Sequence, residues 1–348
     1  INYQLSIMTF KILSLDGGGI RGVMSVRIIQ EIEQQIQKVK GQSLHEYFDL
    51  ISGTSTGALT TAALAIGMNT NQILNIYKHE TLEIFPYQSR LCPERLPLIA
   101  KYGISAPKFS NEGLINVIKK YFIKNKVPIK IKDVVKPYIL IVAYNMSTEE
   151  PTFFVNKDCQ DTLWYSDIPL WEICVSSASA PTYFPPYELK NKGESYAYVD
   201  GGVAANNPTL AAVSHAIRLG YKLEEISVIS IGTGKNTKTY KFEEIVDWGL
   251  TEWAIPLFSV ILNAQARIGN LYSEKILGFY NASTYLRLQF NLNKISKSFD
   301  DARPENIRQL IEATEYFLNH GKVNYTEIYD QPNYIFVKEA IAKFIAHN

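Results

Sequence analysis

The chain has 348 residues, 46% of them hydrophobic and 20% charged, with a formal net charge of +1. That is enough apolar material for one large α/β domain, and too little basic excess for a nucleic-acid-binding surface. Three cysteines (Cys92, Cys159 and Cys174) and five scattered histidines argue against a disulfide framework and show no metal-ligand spacing, so no metal or other cofactor is expected.

In chain order, Phe10 to Leu15 reads as a strand ending at Asp16. The glycine-rich turn SLDGGGIRG (Ser14 to Gly22) follows. Val23, Val26, Ile29, Ile32, Ile36 and Val39 then recur at steps of three and four, which predicts a helix with one apolar face. Phe48 to Ile51 reads as a second strand and Ala58 to Ile66 as a helix of small residues, continued by helix over Asn69 to Leu82. Prolines at 86, 93, 97 and 107 make Pro86 to Lys108 irregular. Asn111 to Ile123 is helical. The apolar run Tyr138 to Tyr144 reads as a buried strand that Pro151 to Val155 pairs with. Leu170 to Ala178 reads as helix, and Tyr196 to Val199 as a strand ending in Asp200. Pro208 to Leu219 is a helix stopped by Gly220. Ile226 to Ile231 is a strand running into Gly232-Thr233-Gly234. The last hundred residues read as mainly helical, with Glu305 to Leu318 and Asn333 to Ala346 as examples. Alternating strands and helices predict an α/β fold with a mostly parallel central sheet and helices on both faces.

The first residues carry neither a basic start nor a small-residue cleavage site, and Met8 reads as a natural start. The longest apolar stretch, Leu59 to Met68, is too short to span a bilayer. These features point to a cytoplasmic location, with peripheral contact at a membrane left open. Sequons at Asn145, Asn281 and Asn324 carry little weight without a secretory signal.

Two stretches compete for the chemistry. Gly17, Gly19 and Gly22 satisfy the G-x-G-x-x-G form of a dinucleotide site between a strand and a helix. No acidic residue stands at the end of the second strand where the ribose would need it, and no Lys-Ser/Thr follows the glycines. Gly53-Thr54-Ser55-Thr56-Gly57 is a G-x-S-x-G at a strand-turn-helix junction, which presents Ser55 at a helix N-terminus where developing negative charge is favoured. Gly53 and Gly57 keep side chains out of the tight turn. A helix cap of small residues is the plainer alternative. Asp200, ahead of Gly201-Gly202, ends a strand where it can reach a serine from another strand end, or else caps a turn. His215 falls in the order serine, aspartate, histidine, but its neighbours Ala212, Val213, Ala216 and Ile217 make it a helix-face residue.

Taken together, DGGGIRG (Asp16 to Gly22), GTSTG (Gly53 to Gly57) and DGG (Asp200 to Gly202) resemble the patatin-like phospholipases in order and spacing. SASAPTYFPPY (Ser177 to Tyr187), VDGGVAANNP (Val199 to Pro208), SIGTG (Ser230 to Gly234), the WGL at Trp248 and YLRLQ (Tyr285 to Gln289) extend the likeness over roughly residues 10 to 320. The resemblance implies a three-layer sandwich over residues 8–320 and a helical C-terminal extension, 321–348, packed on the same domain. It also implies a serine lipid acyl hydrolase that cleaves fatty acyl esters of a membrane lipid or lysolipid. Ser55 would be the nucleophile and Asp200 the general base, with the amides of Gly17, Gly18 and Gly19 as the oxyanion hole. Gly53, Gly57 and Gly201 would support the turns. Arg21 matches the family's basic position, there to hold the loop, to meet an anionic lipid head or to make a structural salt bridge. Tyr183, Phe184 and Tyr187 are candidates to line an acyl groove, or simply to pack. Phe258–Leu262 and Leu277–Phe279 are candidates for membrane contact, or core helix. A lipid-binding or storage protein that keeps the fold without catalysis is the alternative, with nucleotide binding behind it.

Overall fold

The computed structural model describes residues 9–159, 163–235, 240–253, 256–278, 284–292, 298–325 and 333–348. The first unit is β1 (Phe10–Leu15), a 3-10 turn over Gly19–Arg21, and α1 (Gly22–Lys40). All of β1 except Lys11 is buried, so both faces of the strand are covered. The periodic residues of α1 from Val23 to Ile36 are buried, each fully buried aliphatic contributing about 1.5–3 kcal/mol. Val39 is exposed instead, because the helix outruns the core. Gly41 ends α1 in the left-handed region, its N–H donating to the Gln37 carbonyl at 3.1 Å.

β2 (Leu50–Thr54) and α2 (Thr56–Ala65) form the second unit. α3 (Thr70–His79) starts at a capping box of Asn69 and Gln72 and stops before a separate turn of helix at Thr81–Ile84, where one continuous helix was expected. The proline-rich stretch is not wholly irregular: Leu96–Tyr102 is helical, with Pro97 in the first turn, where proline is tolerated. α4 (Glu112–Phe122) follows. β3 (Tyr138–Asn145) and β4 (Glu150–Val155) pair as expected and do so antiparallel, with Leu140 opposite Val155. α5 (Leu170–Ala178) leads to a hairpin of β5 (Tyr187–Asn191) and β6 (Glu194–Asp200). α6 (Thr209–Arg218), β7 (Ile226–Ile231), α7 (Pro256–Leu277) and β8 (Tyr285–Leu288) complete the sheet region. α8 (Pro304–His320) and α9 (Val337–His347) follow. The C-terminal stretch is less helical than expected, since Lys322–Asn324 and Tyr334–Phe336 pair antiparallel ahead of α9.

The central sheet runs β8-β7-β1-β2-β3-β6-β5, with β4 on β3. β8, β7, β1, β2 and β3 are parallel neighbours. β6, which ends at Asp200, is antiparallel to β3 and so departs from the direction those strands share. One register detail positions the site. β2 pairs with Tyr138 to Val142 of β3, and β6 with Ala143 to Asn145. Because β4 covers those last three residues from one side, β6 lies on the side that β2 occupies. β2 and β6 therefore run towards each other along one edge of β3. Thr54 sits opposite Val142 and Asp200 opposite Ala143, so the two strands end against each other. Among the described residues, no helix is long and apolar enough to cross a membrane.

Candidate active site

Ser55 occupies the one-residue turn between β2 and α2, with φ 57° and ψ −121°. This is a strained conformation for a residue with a side chain, held by the strand below and the helix above. Its N–H donates to Ser177 Oγ at 2.9 Å, and Ser177 Oγ donates to the Val142 carbonyl at 2.5 Å. The flanking glycines are required by space. A Cβ on Gly53 would stand 2.2 Å from the Gly57 carbonyl oxygen, and one on Gly57 would stand 2.3 Å from that of Leu15.

Asp200 is 2% exposed, and its backbone N–H donates to the Ser179 carbonyl at 2.9 Å. Gly201 packs where a Cβ would lie 2.2 Å from the Val142 carbonyl oxygen. Asp200 Oδ1 accepts the Gly202 N–H at 2.7 Å. Burial pushes the Asp200 carboxyl up to about 6, while the adjacent Ser55 hydroxyl and the Gly202 amide pull the other way. Ser55 and Asp200, 145 positions apart in sequence, thus face each other across the strand ends. His215 does not join them. It is buried on α6, and burial lowers its pKa, while the charge of Asp158 works against that shift.

The glycine loop closes a third side, and the role expected of Gly17 needs correction. Gly17 N–H donates to the Asn206 carbonyl at 3.0 Å and is therefore not free to meet an oxyanion. Its own carbonyl accepts Thr233 Oγ1 at 2.9 Å. Among the hydrogen bonds of the described residues, none engages the N–H of Gly18 or Gly19. Both residues line the same cavity as Ser55 and Asp200. Gly19 adopts φ +58°, and Phe299 packs so closely that a Cβ there would lie 2.1 Å from its carbonyl oxygen.

The loop is anchored from below by a residue that the sequence did not single out. Asp16 is buried and pairs with Arg287 of β8, Nη1 reaching Oδ1 at 2.8 Å and Nη2 reaching Oδ2. Arg287 Nη1 also donates to Ser230 Oγ at 2.7 Å. The available signal was a lone arginine inside the apolar YLRLQ. Arg21 makes no salt bridge with a carboxylate among the described residues. Its guanidinium lies 4.1 Å from the Phe299 ring centroid, and burial pulls its pKa down to about 10.

The cavity encloses about 110 Å³ and is almost entirely apolar away from Ser55 and Asp200. α2 contributes Leu59 and Ala63, α3 contributes Ile73 and Ile76, and α4 contributes Val117 and Ile118. Of the two readings left open for them, Tyr183 and Phe184 take the first and line it, whereas Tyr187 turns away to hydrogen-bond Glu172 at 3.0 Å. Phe258 and Leu262 are cavity wall, Leu277 is buried, and Phe279 lies outside the described residues. Such walls suit a hydrocarbon chain and not a pyrophosphate, so the dinucleotide form of the glycine loop is coincidental.

Fold and site together define an α/β protein with a serine at a strained strand-to-helix turn, a buried carboxylate beside it and an apolar cavity leading away. The chain belongs to the patatin-like phospholipase family, whose model matches residues 13–213. It is 29% identical to a potato (Solanum tuberosum) protein named probable inactive patatin-3-Kuras 1, over 88% of this chain and 86% of that one. It is 30% identical to potato patatin-04/09, over 88% and 83%. Among solved structures it is similar to human GIVD cytosolic phospholipase A2, at 10% identity and a TM-score of 0.49, covering 98% of this chain and 61% of that one.

Proposed function

We propose that the protein hydrolyses fatty acyl esters of membrane lipids through Ser55 and Asp200. The observation that carries this reading is Ser55 on its strained turn, beside a buried carboxylate of raised pKa, at the head of an apolar cavity. A carboxylate with its pKa near 6 is a stronger base than an ordinary aspartate, yet remains ionised at neutral pH. The acyl chain lies in the cavity and its carbonyl sits over Ser55. As Oγ attacks, its proton passes to Asp200. Negative charge develops on the carbonyl oxygen and is met by the Gly18 and Gly19 amides, each worth about 3 kcal/mol in the transition state. The tetrahedral intermediate collapses, the C–O bond to the lyso-lipid breaks, and Asp200 returns its proton to the leaving alkoxide. Asp200 then deprotonates a water molecule, which attacks the acyl-Ser55 ester; the C–O bond to Ser55 breaks, Asp200 returns the proton to Ser55 Oγ, and the free fatty acid leaves.

Two measurements test this reading. A fluorophosphonate probe should label the wild-type protein on Ser55 and leave Ser55→Ala unlabelled. Mass spectrometry of a panel of phospholipids, galactolipids, lysophospholipids and neutral glycerides should then show free fatty acid from wild type only. An intact wild-type protein that neither labels nor hydrolyses any of them is a lipid-binding protein, and the reading fails.

A further inference from the structure

From Tyr240 to Trp253 no residue is buried, yet the stretch carries Phe242, Ile245, Val246, Leu250 and Trp253. Leu250 is 93% exposed and Phe242 71%. Tyr240, Trp248 and Trp253 form an aromatic chain with ring centroids 5.1 and 5.2 Å apart. A large apolar segment without a core beneath it marks an interaction surface. Its place in the chain, just ahead of a helix that lines the cavity, limits what can cover it. In sequence α7 begins three residues beyond Trp253, and in its first two turns Phe258 and Leu262 line the cavity while Leu257 and Val260 face solvent.

A second exposed apolar group belongs to a segment joined to the same cavity. Leu91 is 94% exposed and Ile104 is 88% exposed. Their segment is tied to the cavity wall, with Arg90 Nη2 donating to the Thr182 carbonyl at 2.7 Å, next to Tyr183. The Tyr183 ring in turn lies 6.2 Å from that of Phe258. Lys108, at the end of the segment, forms a buried ion pair with Asp300, one residue beyond Phe299 of the cavity wall. Tyr183 thus links the two flanks.

We propose that these two flanks form the surface by which the protein docks on a lipid bilayer, with the cavity mouth held against the membrane. The proposal rests on the hydrolytic reading for the nature of the cavity's occupant. Tryptophan and tyrosine suit the headgroup level, and the leucines and isoleucine suit the acyl boundary. Charge decides the kind of membrane. Arg90 to Ile104 and Lys241 to Trp253 together hold the cations Arg90, Lys101 and Lys241 against the anions Glu94, Glu243, Glu244, Asp247 and Glu252, while Arg95 is buried. With no basic excess, attachment is apolar and suits zwitterionic headgroups, without attraction to an anionic surface.

The test uses the full chain and phosphatidylcholine vesicles in a flotation assay. Wild type and Ser55→Ala should both float, at high salt as at low, and added phosphatidylglycerol should not increase binding. The combined variant Leu91→Ser, Ile104→Ser, Phe242→Ser and Leu250→Ser should bind about tenfold less or worse. It should also lose turnover of vesicle lipid in proportion, while hydrolysing a short soluble ester within about twofold of wild type, since surface changes of this kind leave the fold intact. Wild type that fails to float, or a variant that floats as well as wild type, overturns the docking surface. Wild-type dimers dissolved by the same substitutions, with flotation unchanged, would assign the patch to a second copy and also overturn it. A protein that hydrolyses nothing yet floats, and ceases to float in the combined variant, supports the docking surface while removing the hydrolytic reading.

Discussion

At the scale of single residues, the proposed mechanism makes Asp200 couple activity and stability in opposite senses. Its folded pKa is raised from 3.8 to about 6 by burial. Between those values the folded state holds a proton that the unfolded state has lost, so stability falls as pH rises through that window. Above pH 7 the ionised carboxylate costs the fold about 3 kcal/mol. Asp200→Asn should therefore raise the unfolding free energy at pH 8 by up to that amount, with no gain at pH 3, while reducing lipid hydrolysis about 10³-fold or more. Denaturant unfolding at the two pH values checks the first part. A loss of stability at pH 8 would mean that the carboxylate is a structural partner. On the proposed mechanism the same group sets the pH dependence of turnover. A base must be ionised to accept the Ser55 proton, so kcat/KM should rise through an apparent pKa of about 6 and level off above it. A profile governed by a group near 7 that vanishes in His215→Ala would replace the dyad with a triad.

At the scale of elements, the glycine loop is held from two sides, and each side can be perturbed separately. From above, the Phe299 carbonyl accepts the Ile20 N–H at 2.8 Å and leaves Gly19 no room for a Cβ. Gly19→Ala should displace the loop and lower kcat about 10²-fold, with KM nearly unchanged, because the lost contacts form only in the transition state. From below, Arg287→Met strands the buried Asp16 carboxylate and should destabilise the protein by about 3–5 kcal/mol. Adding Asp16→Asn to that variant removes the stranded charge and should restore part of the loss, as thermal unfolding would report. Local chemistry governs how much of this could be read in advance. The turn around Ser55 was legible because its G-x-S-x-G pattern is short and Gly53 is demanded by Gly57, four residues on, although Gly57 answers to the Leu15 carbonyl of the neighbouring strand. Arg287 was not, since its partner lies 271 residues away and a single arginine in a strand also reads as an exposed position. The hairpin of β5 and β6 escaped because β5 is short and mostly polar. Its turn at Lys192-Gly193, with φ of 48° and 89°, was the remaining signal. The helix over Leu96–Tyr102 was hidden by its prolines, although Pro97 sits in the first turn.

At the scale of the whole molecule, the motifs gave the two ends of the site but neither the edge of β3 that brings them together nor the apolar cavity. Two strands of opposite direction end against each other only because β4 fills the other side of β3. The cavity walls come from α3 and α4, whose side chains carry no chemistry of their own. Distance from the site also separates stability from catalysis at the far end of the chain. α9 buries Val337, Ile341, Phe344 and Ile345. It lies along the second half of α1, with Lys338 Nζ 3.6 Å from Glu31 and Lys40 Nζ donating to the Ala346 carbonyl at 3.3 Å. At 1.5 Å per residue, Glu31 is about 14 Å along the helix from Gly22, where the glycine loop ends. Phe344→Ala should therefore cost about 3–5 kcal/mol of unfolding free energy and leave kcat per folded molecule unchanged. For a domain whose total stability is about 5–15 kcal/mol, the unfolding midpoint would fall by several degrees. Differential scanning calorimetry alongside esterase assays below the transition separates the two effects. A fall in kcat at full foldedness would show that α1 transmits the packing of α9 to the loop at its other end.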